Sequence, residues 1–313
     1  MKNLYIYVLL LIFFSGCSIK NDVKLDTDVT PFAQEVKSYN PSDFDALEEV
    51  YENLNYDDVV SEYASKLPGD FKVVRFRYFV VFSNLDEKTT YDLIDMDIRN
   101  TVDAMLTNYI DVKPDEVTAV FLFKDKESYR DFSINEFAIE EDDLSPYGFF
   151  KISRKAIVVR YVNWKGSTSH EVTHAMIQND FPEIPSWFNE GFASMHEKAI
   201  YNNGKLTGSF SWRILALRRA FNENTYVPLK QTMSTNDTEL YGKRSSYYYA
   251  QSCYALMLLH EKGLFEEFYK SFRDNYSKDR TGIKQLEKLT GMTVDKFDEE
   301  LVEYIKSFKQ EMN

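Results

Sequence analysis

From Phe71 to Phe82 the chain reads FKVVRFRYFVVF, the β-branched and aromatic enrichment of a strand. The period then changes: Leu93, Ile94, Ile98, Val102, Met105 and Leu106 fall at helical spacing and predict a helix over Thr89 to Tyr109. A second strand is expected at Glu116 to Phe123 (EVTAVFLF). Tyr147 to Ile152 and Lys155 to Val162 read as a hairpin turned at Ser153-Arg154. Past Gly166 almost every periodic segment is helical, with helices expected near Ser169 to Gln178, Trp187 to Ala199, Trp212 to Phe221, Ser246 to His260, Phe265 to Asn275 and Val294 to Phe308. The pattern predicts an α+β fold in which a mixed β-sheet N-terminal lobe (69–165) precedes a mainly helical C-terminal lobe (166–313). Residues 17–68 are polar and read as a tether with a short amphipathic helix near Phe44 to Leu54.

The first 16 residues belong to a different pattern. Lys2 precedes an unbroken apolar run, Leu4 to Phe14, too short for the roughly 20 residues of a membrane span and suited to the core of an export signal. Ser15-Gly16-Cys17 follows and resembles a bacterial lipoprotein processing site, although Phe14 departs from the usual leucine. The resemblance implies removal of residues 1–16, lipidation of Cys17 and attachment to a membrane of the cell envelope through that lipid. The competing reading is a plain signal peptide with Cys17 incidental.

Cys253 is the only other cysteine, so a lipidated Cys17 leaves no internal disulfide. Stability must then come from a core, for which 44% hydrophobic and 16% aromatic residues are ample. A net charge of −13 without a basic stripe excludes a nucleic-acid partner.

The chemistry concentrates in TSHEVTHAMIQND, residues 168–180, which holds two of the chain's four histidines. His170 and His174, one helical turn apart, can offer two imidazole nitrogens to one metal ion. Glu171 is rotated about 100° from His170 and would flank the metal, where a general base for water belongs. A chain of this composition would contain such a pattern by chance about 0.004 times. The rival reading is a capping box, because Thr168 and Glu171 match S/T-x-x-E at a helix start.

A catalytic metal needs a third protein ligand and an open position. Asp180 lies six residues beyond His174, but Ile177 stands where a sharp turn would need glycine. In PSWFNEGFASMHEKA, residues 185–199, Pro185 and Ser186 start a helix and place Glu190 in its first turns. Glu197, seven residues on, returns to the same face and competes for the role. His196 points elsewhere and reads as structural or exposed.

Pro185-x-Trp187-x-x-Glu190-Gly191-x-Ala193, after the H-E-x-x-H stretch, resembles the signature of gluzincin metallopeptidases, and more closely that of the peptidase MA-like family. The resemblance implies a zincin-like fold with the active-site helix at the junction of the lobes, and Zn²⁺ held by His170, His174 and Glu190. It also implies Glu171 as the catalytic base in hydrolysis of a peptide or protein substrate. YYYAQSCYALMLLHEKG resembles the later Y-A-Q helix of the same family and implies Tyr249 as a donor to the oxyanion, with Tyr247, Tyr248 and Tyr254 nearby. The strand KAIVVRYV is expected either at a sheet edge that binds substrate or inside the sheet. The alternative to an enzyme is a non-catalytic surface lipoprotein that binds a protein or glycan and retains zinc for structure, or an envelope assembly protein without metal.

Overall fold

The computed structural model describes residues 49–162, 166–209 and 211–308. The expected export signal, Cys17 and most of the expected tether lie outside the described residues. The part of the expected Phe44 to Leu54 helix that is described is a bridge from Glu49 to Phe76 and a turn, not a helix. The helix lies further on: α1 is Tyr56–Ala64, its N-terminus satisfied by the Asn55 side chain, which accepts from the Asp58 N–H.

The single strand read at FKVVRFRYFVVF is a tight hairpin, β1 (Lys72–Phe76) and β2 (Phe79–Ser83), with Phe76 opposite Phe79 across Arg77-Tyr78. Nothing local announces this turn, since Arg77 sits at φ 50, a left-handed conformation that costs an L-residue about 1–2 kcal/mol. Distant partners offset it. Arg77 pairs with Glu49 at 2.6 Å and Asp103 at 2.5 Å.

A long helix follows, α2 (Glu87–Asp92) and α3 (Asn100–Ala104) joined and extended by wide π-type turns at Leu93–Arg99 and Met105–Tyr109. Strand β3 (Thr118–Phe123), helix α4 (Lys126–Phe137) and strands β4 (Gly148–Lys151) and β5 (Ala156–Arg160) complete a mixed five-stranded sheet of order β1-β2-β3-β5-β4. The three central strands, β2, β3 and β5, run parallel, and the two outer ones are antiparallel to their neighbours. Val80, Val81 and Phe82, like Val120, Phe121 and Leu122, are buried because central parallel strands are covered on both faces. Tyr63 of α1 and Phe132 and Phe137 of α4 cover the face that carries Phe121. The expected hairpin at 147–162 is present, but KAIVVRYV is interior, paired with β3 on one side and β4 on the other. Among the described residues the edge strand on that side of the sheet is therefore β4, with β1 at the opposite edge.

The helical part begins with α5 (Ser167–Ile177) and α6 (Ser186–His196). The helix expected to run on to Ala199 stops at His196, where a hairpin takes over, β6 (Ala199–Asn202) and β7 (Lys205–Ser209), turned at Asn203-Gly204. Then come α7 (Ile214–Asn222), the short α8 (Leu229–Thr232) and α9 (Asp237–Leu240), α10 (Ser245–Glu261), α11 (Phe265–Asn275), α12 (Ile283–Thr290) and α13 (Val294–Ser307). Helix α6 is the hub. Phe188 and Phe192 seat it against Phe265, Phe268, Tyr269 and Phe272 of α11. Gly191 lets it close on α10, since a Cβ there would lie 2.7 Å from the Ser252 Cβ and 2.9 Å from its carbonyl carbon. Among the described residues no helix is long and apolar enough to cross a membrane.

Candidate metal centre

Helix α5 leaves the sheet at Gly166, whose φ of 70 and missing side chain let it lie against the backbone of Glu197; a Cβ there would sit 1.7 Å from the Glu197 carbonyl oxygen. The first turn of α5 has no side-chain cap. Thr168 is inside the helix, so the capping box is not formed and Glu171 has no capping duty.

One face of α5 carries both histidines toward α6, their rings 4.8 Å apart and steeply tilted. Glu190 meets them from α6. Its Oε2 lies 3.2 Å from His170 Nε2 and 3.7 Å from His174 Nε2, and donor atoms of the three residues fall within 4.8 Å of one another, an arrangement that could hold a metal ion. Tetrahedral coordination with bonds of about 2.0–2.1 Å sets neighbouring donors about 3.3 Å apart, between the two distances found. His170 and Glu190 are 7% and 5% exposed, so the donors are shielded from bulk water.

Each imidazole has an outer partner. His174 Nδ1 is 2.9 Å from the Asn189 amide oxygen; donating there, it leaves the Nε2 lone pair directed at the centre. His170 Nδ1 lies 3.0 Å from Glu197 Oε1, at ion-pair distance but off the line of a good hydrogen bond. Glu197 in turn binds Arg213, and the Tyr241 hydroxyl donates to Glu190 Oε1 at 3.0 Å.

The electrostatics follow from burying acids and bases together. Burial disfavours an imidazolium at His170, yet the carboxylates of Glu190 and Glu197 outweigh it and push the group up to about 10. Burial would raise Glu190, but His174 and His170 hold it well below the usual carboxylate range. Glu171 goes the other way. Burial lifts it above the ordinary carboxylate range, with Glu190 and Glu197 adding to the rise and His170 and His174 opposing it.

The other sequence candidates are sorted by their contacts. Asp180 accepts from the Asp111 and Val112 N–H groups, from Tyr269 and from Arg273, and takes no part in the centre. Glu197 stands behind His170, outside the group of three. His196 is buried, its Nδ1 2.6 Å from the Tyr201 hydroxyl and its ring beside Phe192. Of the tyrosines on α10, Tyr247 donates to the Val227 carbonyl, Tyr248 to Glu239 and Tyr254 to the Ser211 carbonyl. Tyr249 remains. Its ring lies 6.3 Å from that of Tyr241, and burial, then the charge of Glu190, raises its phenol well above the usual range. Among the described residues its hydroxyl makes no hydrogen bond.

Asn189, Arg213 and Tyr241 were not singled out in the sequence. Asn189 directly precedes Glu190 and was within reach of motif reasoning; Arg213 and Tyr241 are remote and carried no signal. No protein-family model matches this chain, and no curated protein matches it in sequence.

Proposed function

We propose that this chain is a zinc peptidase of the gluzincin type, similar to the peptidase MA-like family and zincin-like in fold. The observation that carries the reading is the convergence of His170, His174 and Glu190, with donor atoms within 4.8 Å of one another, and the buried Glu171 one residue from the first ligand and free of capping duty. Two imidazoles and one carboxylate are the donor set of a catalytic zinc that keeps a position open. Bound there, zinc would polarise the scissile carbonyl and acidify water.

The protein's own groups do the rest. Asn189 and Glu197 hold the two rings so that both Nε2 atoms face one point. Glu171 takes a proton from water on a carboxylate oxygen and returns it to the leaving amine nitrogen, a task suited by its raised proton affinity. The Tyr249 hydroxyl donates a hydrogen bond to the oxygen on which negative charge develops. Strand β4 packs beside α5 and, among the described residues, pairs on one side only, with β5, so its other edge can receive an extended peptide as an added strand. We extend the proposal to anchoring at the cell envelope through lipid on Cys17, which brings the site to protein or peptide substrates at that membrane.

Metal content and one substitution test the reading. Purified protein should hold about one equivalent of zinc and cleave an unfolded protein such as casein, and Glu171→Gln should keep the zinc and lose the cleavage. Less than about half an equivalent of zinc, with no uptake on titration, would sink the proposal. Full zinc without turnover would favour a non-catalytic lipoprotein that binds a protein or glycan.

A further inference from the structure

The buried pair behind the centre reaches in two directions. Glu197 Oε1, 3.0 Å from His170 Nδ1, also lies 2.5 Å from Arg213 Nη2, and both Glu197 oxygens are 3.1 Å from Arg213 Nε. Both side chains are shielded, 5% exposed for Glu197 and 12% for Arg213. The guanidinium lies 5.0 Å from the centre of the Tyr249 ring and 4.8 Å from that of Trp212. One oxygen is thus shared between an imidazole and a cation, and that cation rests on the tyrosine ring. The backbone of Glu197 is itself pinned against Gly166 at the start of the helix that bears both histidines.

We propose that Glu197 and Arg213 are a positioning couple that sets two parts of the centre at once: the carboxylate orients His170, and the guanidinium holds the Tyr249 ring in place. The inference rests on the metal-centre reading and adds to it a physical link between the ligand shell and the oxyanion donor. A carboxylate behind a metal-bound histidine fixes its ring orientation and raises its basicity. A guanidinium stacked on a phenol restricts the ring while leaving the hydroxyl at its far end free. Arginine suits both duties because its planar fork can bind a carboxylate along one edge and cover an aromatic face with its plane, whereas a lysine ammonium is a point charge with no plane to pack on a ring.

The test uses the full chain and the variants Glu197→Gln, Arg213→Met and Arg213→Lys. Three readouts are needed: zinc affinity by competition with a chelating dye, the visible spectrum of the Co²⁺-substituted protein, and kcat and KM on casein. Glu197→Gln and Arg213→Met should each weaken zinc binding roughly 10–100-fold and alter the Co²⁺ bands. Arg213→Lys should keep zinc affinity within about threefold of the wild type yet lower kcat with KM unchanged, since its charge still meets Glu197 but no guanidinium covers the Tyr249 ring. Wild-type zinc affinity and Co²⁺ bands in Arg213→Met would overturn the link to His170, and wild-type kcat in Arg213→Lys would overturn the link to Tyr249. If Arg213→Met does not fold by circular dichroism, Glu197→Gln/Arg213→Met, which removes both charges together, takes its place with the same expectations. Wild-type protein that takes up no metal would overturn the proposed function and this inference with it. Zinc-bound wild type with unaffected variants would overturn this inference alone.

Discussion

Asp180 and Glu190 are two buried acids in neighbouring parts of the same helical pair, and their surroundings differ in kind. Asp180, six residues past His174, accepts two backbone N–H groups at 2.8 Å, the Tyr269 hydroxyl at 2.9 Å and the Arg273 guanidinium at 2.7 and 2.9 Å. All its neighbours are hydrogen-bond donors, so the acid is saturated. It ties the loop after the long helix of the sheet lobe to α11. Glu190 instead faces two imidazole nitrogens, 3.2 and 3.7 Å from its Oε2, which donate to it when protonated and offer electron pairs beside it when not; the Tyr241 hydroxyl also donates to it. An acid surrounded by groups that can only donate is a structural clamp, whereas an acid grouped around a common point with side chains that can also offer electron pairs is a candidate ligand. Burial alone does not distinguish them, because both are buried and both are held below the usual carboxylate range.

The largest test of this contrast is catalytic. Glu171→Gln should lower turnover by about 10³-fold or more while zinc content and thermal stability stay at wild-type levels. Turnover equal to that of the wild type would remove the catalytic meaning of the Glu190 side of the comparison.

The two acids should then respond in opposite ways. Asp180→Asn breaks a buried pair and should cost about 3 kcal/mol in urea unfolding with zinc affinity unchanged. Glu190→Gln should weaken zinc binding by more than the roughly 10–100-fold expected of an outer partner, seen by titration calorimetry. If Asp180→Asn lost the metal and Glu190→Gln lost the fold, the assignment would be reversed.

A third effect, of about 1–3 kcal/mol, is expected for Gly191→Ala, because the added methyl meets Ser252 and must push α6 away from α10. Zinc affinity should fall along with stability, since α6 carries Glu190. A variant as stable as the wild type would mean that the two helices separate freely.

The smallest effect is a pH dependence. Burial would raise Asp180, but Arg273, the Val112 and Asp111 N–H groups and Tyr269 hold it below its ordinary value of 3.8. A depressed carboxylate adds stability that is fully present above its unfolded value and is lost as the pH falls through its folded one. Wild type should therefore lose its advantage over Asp180→Asn progressively below about pH 4, measured by melting temperature across the acid range. A constant difference down to the acid limit would show that the clamp does not work through charge.

Much of this arrangement was legible in the chain. The period-two and helical patterns predict the α+β order, and the 147–162 hairpin and the Phe265 to Asn275 helix lie where the pattern puts them. Misreadings arose where a remote contact overrides a local preference. Arg77 turns a hairpin without glycine or asparagine because Glu49 and Asp103 hold it. Thr168 and Glu171 match a capping box, yet the helix starts earlier because Gly166 can approach Glu197. The β6–β7 hairpin is a different case, since its Asn203-Gly204 turn is a readable local signal that lies between the helices expected at Trp187 to Ala199 and Trp212 to Phe221.

By itself the sequence determined what lies within a turn or two of one helix: that His170 and His174 share a face and that Glu171 flanks them. Those relations follow from backbone dihedrals that every helix has. It also narrowed the third donor to a few acids, and the family resemblance pointed to one tyrosine, Tyr249, among several on the same helix for the proposed oxyanion donor. Only the tertiary structure decided that Glu190 joins the histidines while Glu197 backs His170 and Asp180 clamps a loop, that Tyr249 is the tyrosine of α10 left without a hydrogen-bond partner among the described residues, and that β4 rather than KAIVVRYV stands at that edge of the sheet. The reason is one of distance along the chain. Which side chains meet across α5, α6, α7 and α10 depends on how whole helices are seated by their apolar faces and by glycines 166 and 191, and no local window of residues records that.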